Sequence, residues 1–323
     1  MTGRAGGFGL LLLAALALLA VWAMSVGGGD IGLGRVFAAL ATPGTERADL
    51  IVTTVRLPRV LAAVAVGAAL AVAGGIMQAM TANPLAEPGL LGVNAGAAFG
   101  VVIAIAFLDV TATRALVWIA FLGAALAAAA VHALGRGAAP IRLVLAGVVV
   151  TTFLGALTAS ILVLDAQTLD TVRLWTAGSL AGRRMPEIAT VLPYLVPALC
   201  AALLASRHFT TMSLGADAAA MLGQSPLRWR AAGAAIVVGL AGGAVALAGP
   251  LGFVGLLAPH IARRAVGGDY QRLLPIALLA GAILALAADT LPRALLGRDV
   301  PAGVTLTLIG APVLVWIARR RTG

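Results

Sequence analysis

Arg56-Leu57-Pro58-Arg59, a long apolar run, and then Asn83-Pro84-Leu85-Ala86-Glu87-Pro88-Gly89-Leu90-Leu91-Gly92 decide how this chain folds. The run between the two motifs, residues 58–80, has the length of a membrane helix, which needs roughly 20 apolar residues. It opens at one mouth on paired arginines and closes at the other on a turn punctuated by proline and glycine. Composition agrees: 61% of residues are hydrophobic, 11% are charged and the mean hydropathy is +1.06, which no soluble globular domain matches.

Hydropathy places further spans near 8–26, 90–108, 114–134, 142–164, 188–206, 229–249, 251–263, 273–290 and 301–318. The expected fold is therefore an all-α membrane protein of about ten transmembrane helices, a single transmembrane domain over residues 1–323 with no room for a soluble one. The first stretch is longer than the core of a secretory signal and reads as an uncleaved span. The eighth is short and bracketed by Pro250 and Pro259, so a re-entrant segment is the alternative there. Arg319, Arg320 and Arg321 favour the cytoplasm, and ten crossings place both termini on that side.

The net charge of +10 would suggest nucleic acid for a soluble protein, but here the arginines sit at span ends, where they orient helices. Nucleic-acid binding is not expected. Arginines divide almost evenly between the two sides, so those outside need a second explanation, such as a partner surface. Cys200 stands alone, which rules out an internal disulfide or a cysteine metal cluster. The chain has no lysine at all, so it can build neither a G-x-x-x-x-G-K-[ST] phosphate loop nor a Schiff base. If ATP drives it, another chain hydrolyses the nucleotide.

Two segments echo each other. Pro84-Leu85, three residues, Gly89-Leu90-Leu91 recurs as Pro250-Leu251, three residues, Gly255-Leu256-Leu257, and an odd number of crossings separates them. That is the pattern of an inverted-topology repeat. Gly92, Gly96 and Gly100, and again Gly239 and Gly243, line helical faces that allow close packing inside the bundle. Ion-coupled carriers keep carboxylates or histidines within their spans. Here Glu87, Asp217 and Asp269 fall in inner loops, Asp289 sits at the end of the ninth span, and no carboxylate is expected near mid-membrane. Metalloprotease, aspartyl and prenyl-phosphate signatures are missing too, so no catalytic or metal site is expected.

The inner connection, about 207–228, is long for a membrane loop. Leu214, Ala218, Met221 and Leu222 share a helical face, Ser213 can cap the start and Gly223 marks the stop. A short helix of this kind suits docking of a cytoplasmic partner.

These motifs, together with the Gly249–Arg263 run and Gly310-Ala311-Pro312, occur in an order that resembles the iron-siderophore, haem and cobalamin permeases of bacterial type II ABC importers. The resemblance runs from about Arg56 to Arg320. It implies ten helices per subunit, a second permease subunit (an identical copy or a paralogue), two cytoplasmic ATPases that hold ATP and magnesium, and an extracytoplasmic binding protein, all at the bacterial inner membrane. It implies no cofactor on this chain. Arg56, Arg59 and Arg293 match arginines that face acidic residues of the binding protein. Ser213, Leu214, Gly215, Asp217, Ala218, Leu222 and Gly223 match the segment that enters the ATPase, although Ala220 and Met221 replace a polar pair common there. Pro140 and Ile141 match a hydroxylated pair that narrows the cytoplasmic end of cobalamin-type pathways, and imply an apolar constriction instead. A ferric siderophore is the expected cargo, with haem or cobalamin behind it.

Overall fold

A computed structural model of the chain describes residues 2–27, 29, 31–135 and 140–319, and every regular element among them is helical. In chain order these are α1 (Thr2–Ser25), α2 (Leu33–Ala41), α3 (Arg47–Leu50), a π-helical turn (Ile51–Arg56), α4 (Leu57–Thr81), a 3₁₀ turn (Pro88–Leu91), α5 (Val93–Leu108), α6 (Thr113–Leu134), α7 (Pro140–Leu164) and α8 (Ala166–Thr176). Then come α9 (Met185–Leu204), α10 (Ser206–Met212), α11 (Ala216–Met221), α12 (Pro226–Ala248), α13 (Val254–Val266), α14 (Tyr270–Leu296) and α15 (Ala302–Arg319).

Among the described residues seven helices are long and apolar enough to cross a bilayer, and α5 and α15 carry shorter apolar stretches. Together with α13 these are the crossings the sequence anticipates. Contacts fix their sense. Gly9 near the start of α1 meets Ile276 near the start of α14, while the carbonyls of Met24 and Val26 at the end of α1 meet Arg56 and Arg293. We call the side where α1 begins the first face and the opposite side the second.

Helix α4 is the hub, packing against α14, α12, α13 and α9. Glycine permits the tightest of these approaches: a Cβ on Gly74 would collide with the backbone of Gly255, and one on Gly96 of α5 with that of Gly123 in α6. The Gly96 stripe therefore serves contacts within the bundle, as does Gly243, where a Cβ would lie 2.8 Å from Leu195. Helix pairing also repeats. Helix α4 packs on α13 and α14, as α12 packs on α5 and α6; α5 packs on α6, as α13 on α14.

The eighth crossing is neither a full helix nor a simple re-entrant loop. Extended residues 249–253 lead into α13, whose 13 residues span only about 20 Å at 1.5 Å per residue, short of a core about 30 Å thick. Gly249 and Phe253 both have positive φ at this break. The matching break before α5 has Gly92 in the left-handed region. The two breaks touch: Gly255 packs on Pro88, and the Glu87 carboxylate lies near the backbone of Phe253. Gly74, also in contact with Gly255, lies seven residues before the end of α4, roughly 10 Å inside the helix. Glu87 is thus no ordinary loop residue. It places a carboxylate at the start of α13, where the positive end of the helix dipole favours it.

Candidate functional site

At the second face three guanidinium groups converge. The π-helical turn delivers Arg56, the first turn of α4 delivers Arg59, and the last turns of α14 deliver Arg293; all three are at least nine-tenths buried. Arg59 forks onto Asp289: Nε lies 2.8 Å from Oδ2 and Nη2 2.9 Å from Oδ1. Its remaining nitrogen, Nη1, lies 2.8 Å from Oδ1 of Asp299. Arg293 joins Asp289 from four residues along α14 at 3.1 Å and donates to the Val26 carbonyl. Arg56 donates to the carbonyls of Met24 and Gly29 at 2.8 and 2.6 Å.

A buried guanidinium stripped of acceptors is strongly destabilising, and this arrangement supplies them internally. Among the described residues, Asp289 and Asp299 are the carboxylates that pair with Arg59 and Arg293 at this mouth. The carboxylates differ sharply. Asp289 is buried inside the ninth crossing, contrary to the expectation that it merely ends the span, whereas the Asp299 side chain is 61% exposed on the loop before α15.

At the first face the connection is two helices, where the sequence suggests one. Helix α10 ends at Met212, and Ser213 Oγ donates back to the Thr210 carbonyl at 2.7 Å, closing α10 instead of capping α11. Gly215, at φ +104°, is the residue before α11 and has no side chain to cap it; a serine hydroxyl two residues earlier is out of reach of that role. Gly223 does mark the stop, with positive φ and N–H groups of Gly223 and Gln224 returning to Ala220 and Ala219. Ala219 turns inward, Ala218 is partly covered, Asp217 is exposed, and Leu214, Met221 and Leu222 project outward at 65%, 84% and 65% exposure.

Helix α10 is tied to the core. Thr210 Oγ1 accepts from the Tyr270 N–H at 2.9 Å, Arg263 donates to the Tyr270 hydroxyl and to Gln78 of α4, and Phe209 is fully buried beneath Gly233 of α12. His208 stacks on Trp229 at 3.8 Å and its Nδ1 faces Gln224 at 3.1 Å. Loss of hydration and the neighbouring Arg207 cation both push the His208 pKa down. The same pair, α4 and α14, therefore carries the arginine cluster at one end and anchors α10 at the other. Helix α7 begins at Pro140, but the side chains of Pro140 and Ile141 lie outside the described residues.

The arginine types at the mouth are legible in sequence, but Asp299 as their exposed partner is not. It sits in a short loop, and 240 positions separate it from Arg59.

A family model described as the FecCD transport family matches residues 13–320. The chain is 42% identical over 291 residues to the probable siderophore transport system permease protein YfiZ of Bacillus subtilis, covering 88% of this chain and 87% of that one. It is 38% identical over 318 residues to the ferric enterobactin transport system permease protein FepD of Escherichia coli, covering 97% and 95%. Among solved structures, an inward-facing conformation of a transporter of metal-chelate ABC type superposes with a TM-score of 0.84 at 27% identity, over 98% of this chain and 99% of that one.

Proposed function

Because the chain belongs to the FecCD transport family, and so is the membrane-spanning permease of an ABC importer, we propose that its cargo is a ferric siderophore. The observation that carries this reading is the pair of near-full-length relatives named for siderophore and ferric enterobactin transport. The test is uptake by the permease reconstituted with its ATPase and binding protein. Radioiron should enter as a siderophore complex, driven by ATP and blocked by vanadate. Uptake of haem or cobalamin in its place would replace the cargo and leave the permease reading standing.

The remaining assignments belong to the same proposal. Two permease subunits enclose the pathway, and ATP and magnesium reside on two partner ATPases. The first face is cytoplasmic. There the exposed Leu214, Met221 and Leu222 supply apolar side chains to an ATPase groove, with Ser213, Gly215, Asp217, Ala218 and Gly223 shaping the segment. At the second face, an acidic binding protein docks over Arg56, Arg59 and Arg293. Since their side chains are buried, the exchangeable contact is Asp299, whose place on Arg59 a partner carboxylate takes. Pro140 and Ile141 form an apolar constriction at the cytoplasmic end of the pathway.

A further inference from the structure

Away from both docking regions, a cavity of about 210 Å³ opens at the second face where α5, α6, α8 and α12 come together. Its floor is apolar, with Val101 and Ile105 from α5, Val117 from α6 and Val172 from α8. Its rim is polar and lies at the helix ends: Thr111 and Thr113 lead into α6, and Arg183 comes from the turn before α9.

Arg183 is held under tension in chemical terms. Only 15% of its side chain is exposed, its Nε is fully buried with no hydrogen-bond partner, and its nearest carboxylate oxygen, on Glu187, stands 3.6 Å away. Burial lowers its pKa against the pull of Glu187. Among the described residues neither Thr111 nor Thr113 hydrogen-bonds through its hydroxyl. Arg183 Nε is thus a buried donor without an acceptor, beside a cavity whose exposed rim adds the Thr111 and Thr113 hydroxyls, and an anionic oxygen is what would complete a buried guanidinium. The wall that carries Thr171 and Val172 is fixed, because Asp165 caps α8 by accepting from the Gln167 and Thr168 N–H groups.

We infer that this cavity binds a membrane phospholipid, its phosphodiester accepting from Arg183 and the threonine hydroxyls while the start of an acyl chain lies on Val101 and Val117. A polar rim over an apolar floor matches a molecule with one charged end and a hydrocarbon body. The depth is also right, since helix ends stand at the level of the headgroups. Strongly lipid-like surroundings flank the opening: Phe107 and Leu108 at the end of α5 and Leu174 on α8 are all more than half exposed.

The test is phospholipid retention by the full-length permease after washing in a delipidating detergent, read by native mass spectrometry and by total phosphorus. The wild-type chain should keep a tightly held phospholipid. Arg183→Gln should lose it by roughly tenfold in apparent affinity, as expected for removal of one charge-assisted contact. Arg184→Gln, at the exposed neighbouring position, should keep it. Thr111→Val with Thr113→Val, on surface positions that leave the ion pair intact, should weaken retention and so covers the case in which Arg183→Gln fails to fold. No retained phospholipid in the wild type, or retention at the wild-type level in the threonine double variant or in folded Arg183→Gln, would overturn the inference. So would protection against heat by inorganic phosphate in a lipid-free wild-type sample, which would make the site one for free anions.

Discussion

The two ends of the α4–α14 pair meet their surroundings in opposite ways. At the second face the polar groups are already satisfied from within, since each guanidinium finds carboxylates or carbonyls of its own chain. At the first face Leu214, Met221 and Leu222, in and beside α11, are more than half exposed among the described residues. One end is closed and electrostatic, the other open and apolar. A partner at the closed end must displace a contact, while a partner at the open end need only cover surface. The first gives selectivity and salt dependence, the second affinity.

The sharpest way to break that contrast is at the open end. Leu214→Asp with Leu222→Asp places charge on exposed positions, so the fold should survive while ATPase association falls by about a hundredfold or more, as for loss of interface anchors. Co-purification and ATP-driven uptake report it, and unchanged association removes α11 from the interface. Next in size is Arg59→Met, which takes the bidentate partner from buried Asp289 and leaves it Arg293 alone. Leaving a buried charge with no partner costs about 3–5 kcal/mol, and with Arg293 still in place the loss should be smaller, yet it should lower thermal stability even with no binding protein present. A charge reversal at Arg59 therefore cannot report docking alone.

Asp299→Asn is the finer probe. With Asp299 side-chain exposure at 61%, stability should hardly change, whereas binding-protein affinity should rise by a few-fold and its dependence on salt should steepen. A fall in affinity would show that Asp299 shapes the surface instead of competing for Arg59. Ile141→Ser should raise the leak of a small polar solute through reconstituted permease without abolishing ATP-driven uptake. No added leak removes the apolar constriction.

The smallest effect concerns His208. Its folded pKa lies below the ordinary value of about 6.5, so the folded and unfolded forms are both neutral above that pH and the histidine is silent there. As pH falls through 6.5 the unfolded chain takes up the proton first, and the α10–α12 packing should loosen. Quenching of Trp229 fluorescence followed from pH 8 to 5 checks the sign.

Much of the bundle was readable because hydropathy runs of some twenty residues leave little choice. Even the broken eighth crossing announced itself through its length and its prolines. Three things escaped. Helices α2 and α8 lie in connections, where a short amphipathic pattern is masked by its polar face. Asp289 looked like a span terminus because its partner Arg59 is 230 positions away and pairing across that distance leaves no local trace. Ser213 satisfies every local rule for a cap, yet Thr210, three residues back, offers a carbonyl first. Of the site, the residue types were legible and their occupancy by internal partners was not.

The contact between Glu87 and the backbone of Phe253 has a consequence for biosynthesis. A ribosome makes the first break long before the second, and α13, at 13 residues with an extended lead, is a poor candidate for entering a membrane on its own hydrophobicity. The earlier half of the chain then serves as the template on which the later half is threaded, and the segment from Pro226 onward, synthesised alone, should leave its short helix outside the bilayer. The order of manufacture is written into the molecule: a single carboxylate, laid down first, waits in the membrane for the helix it will start.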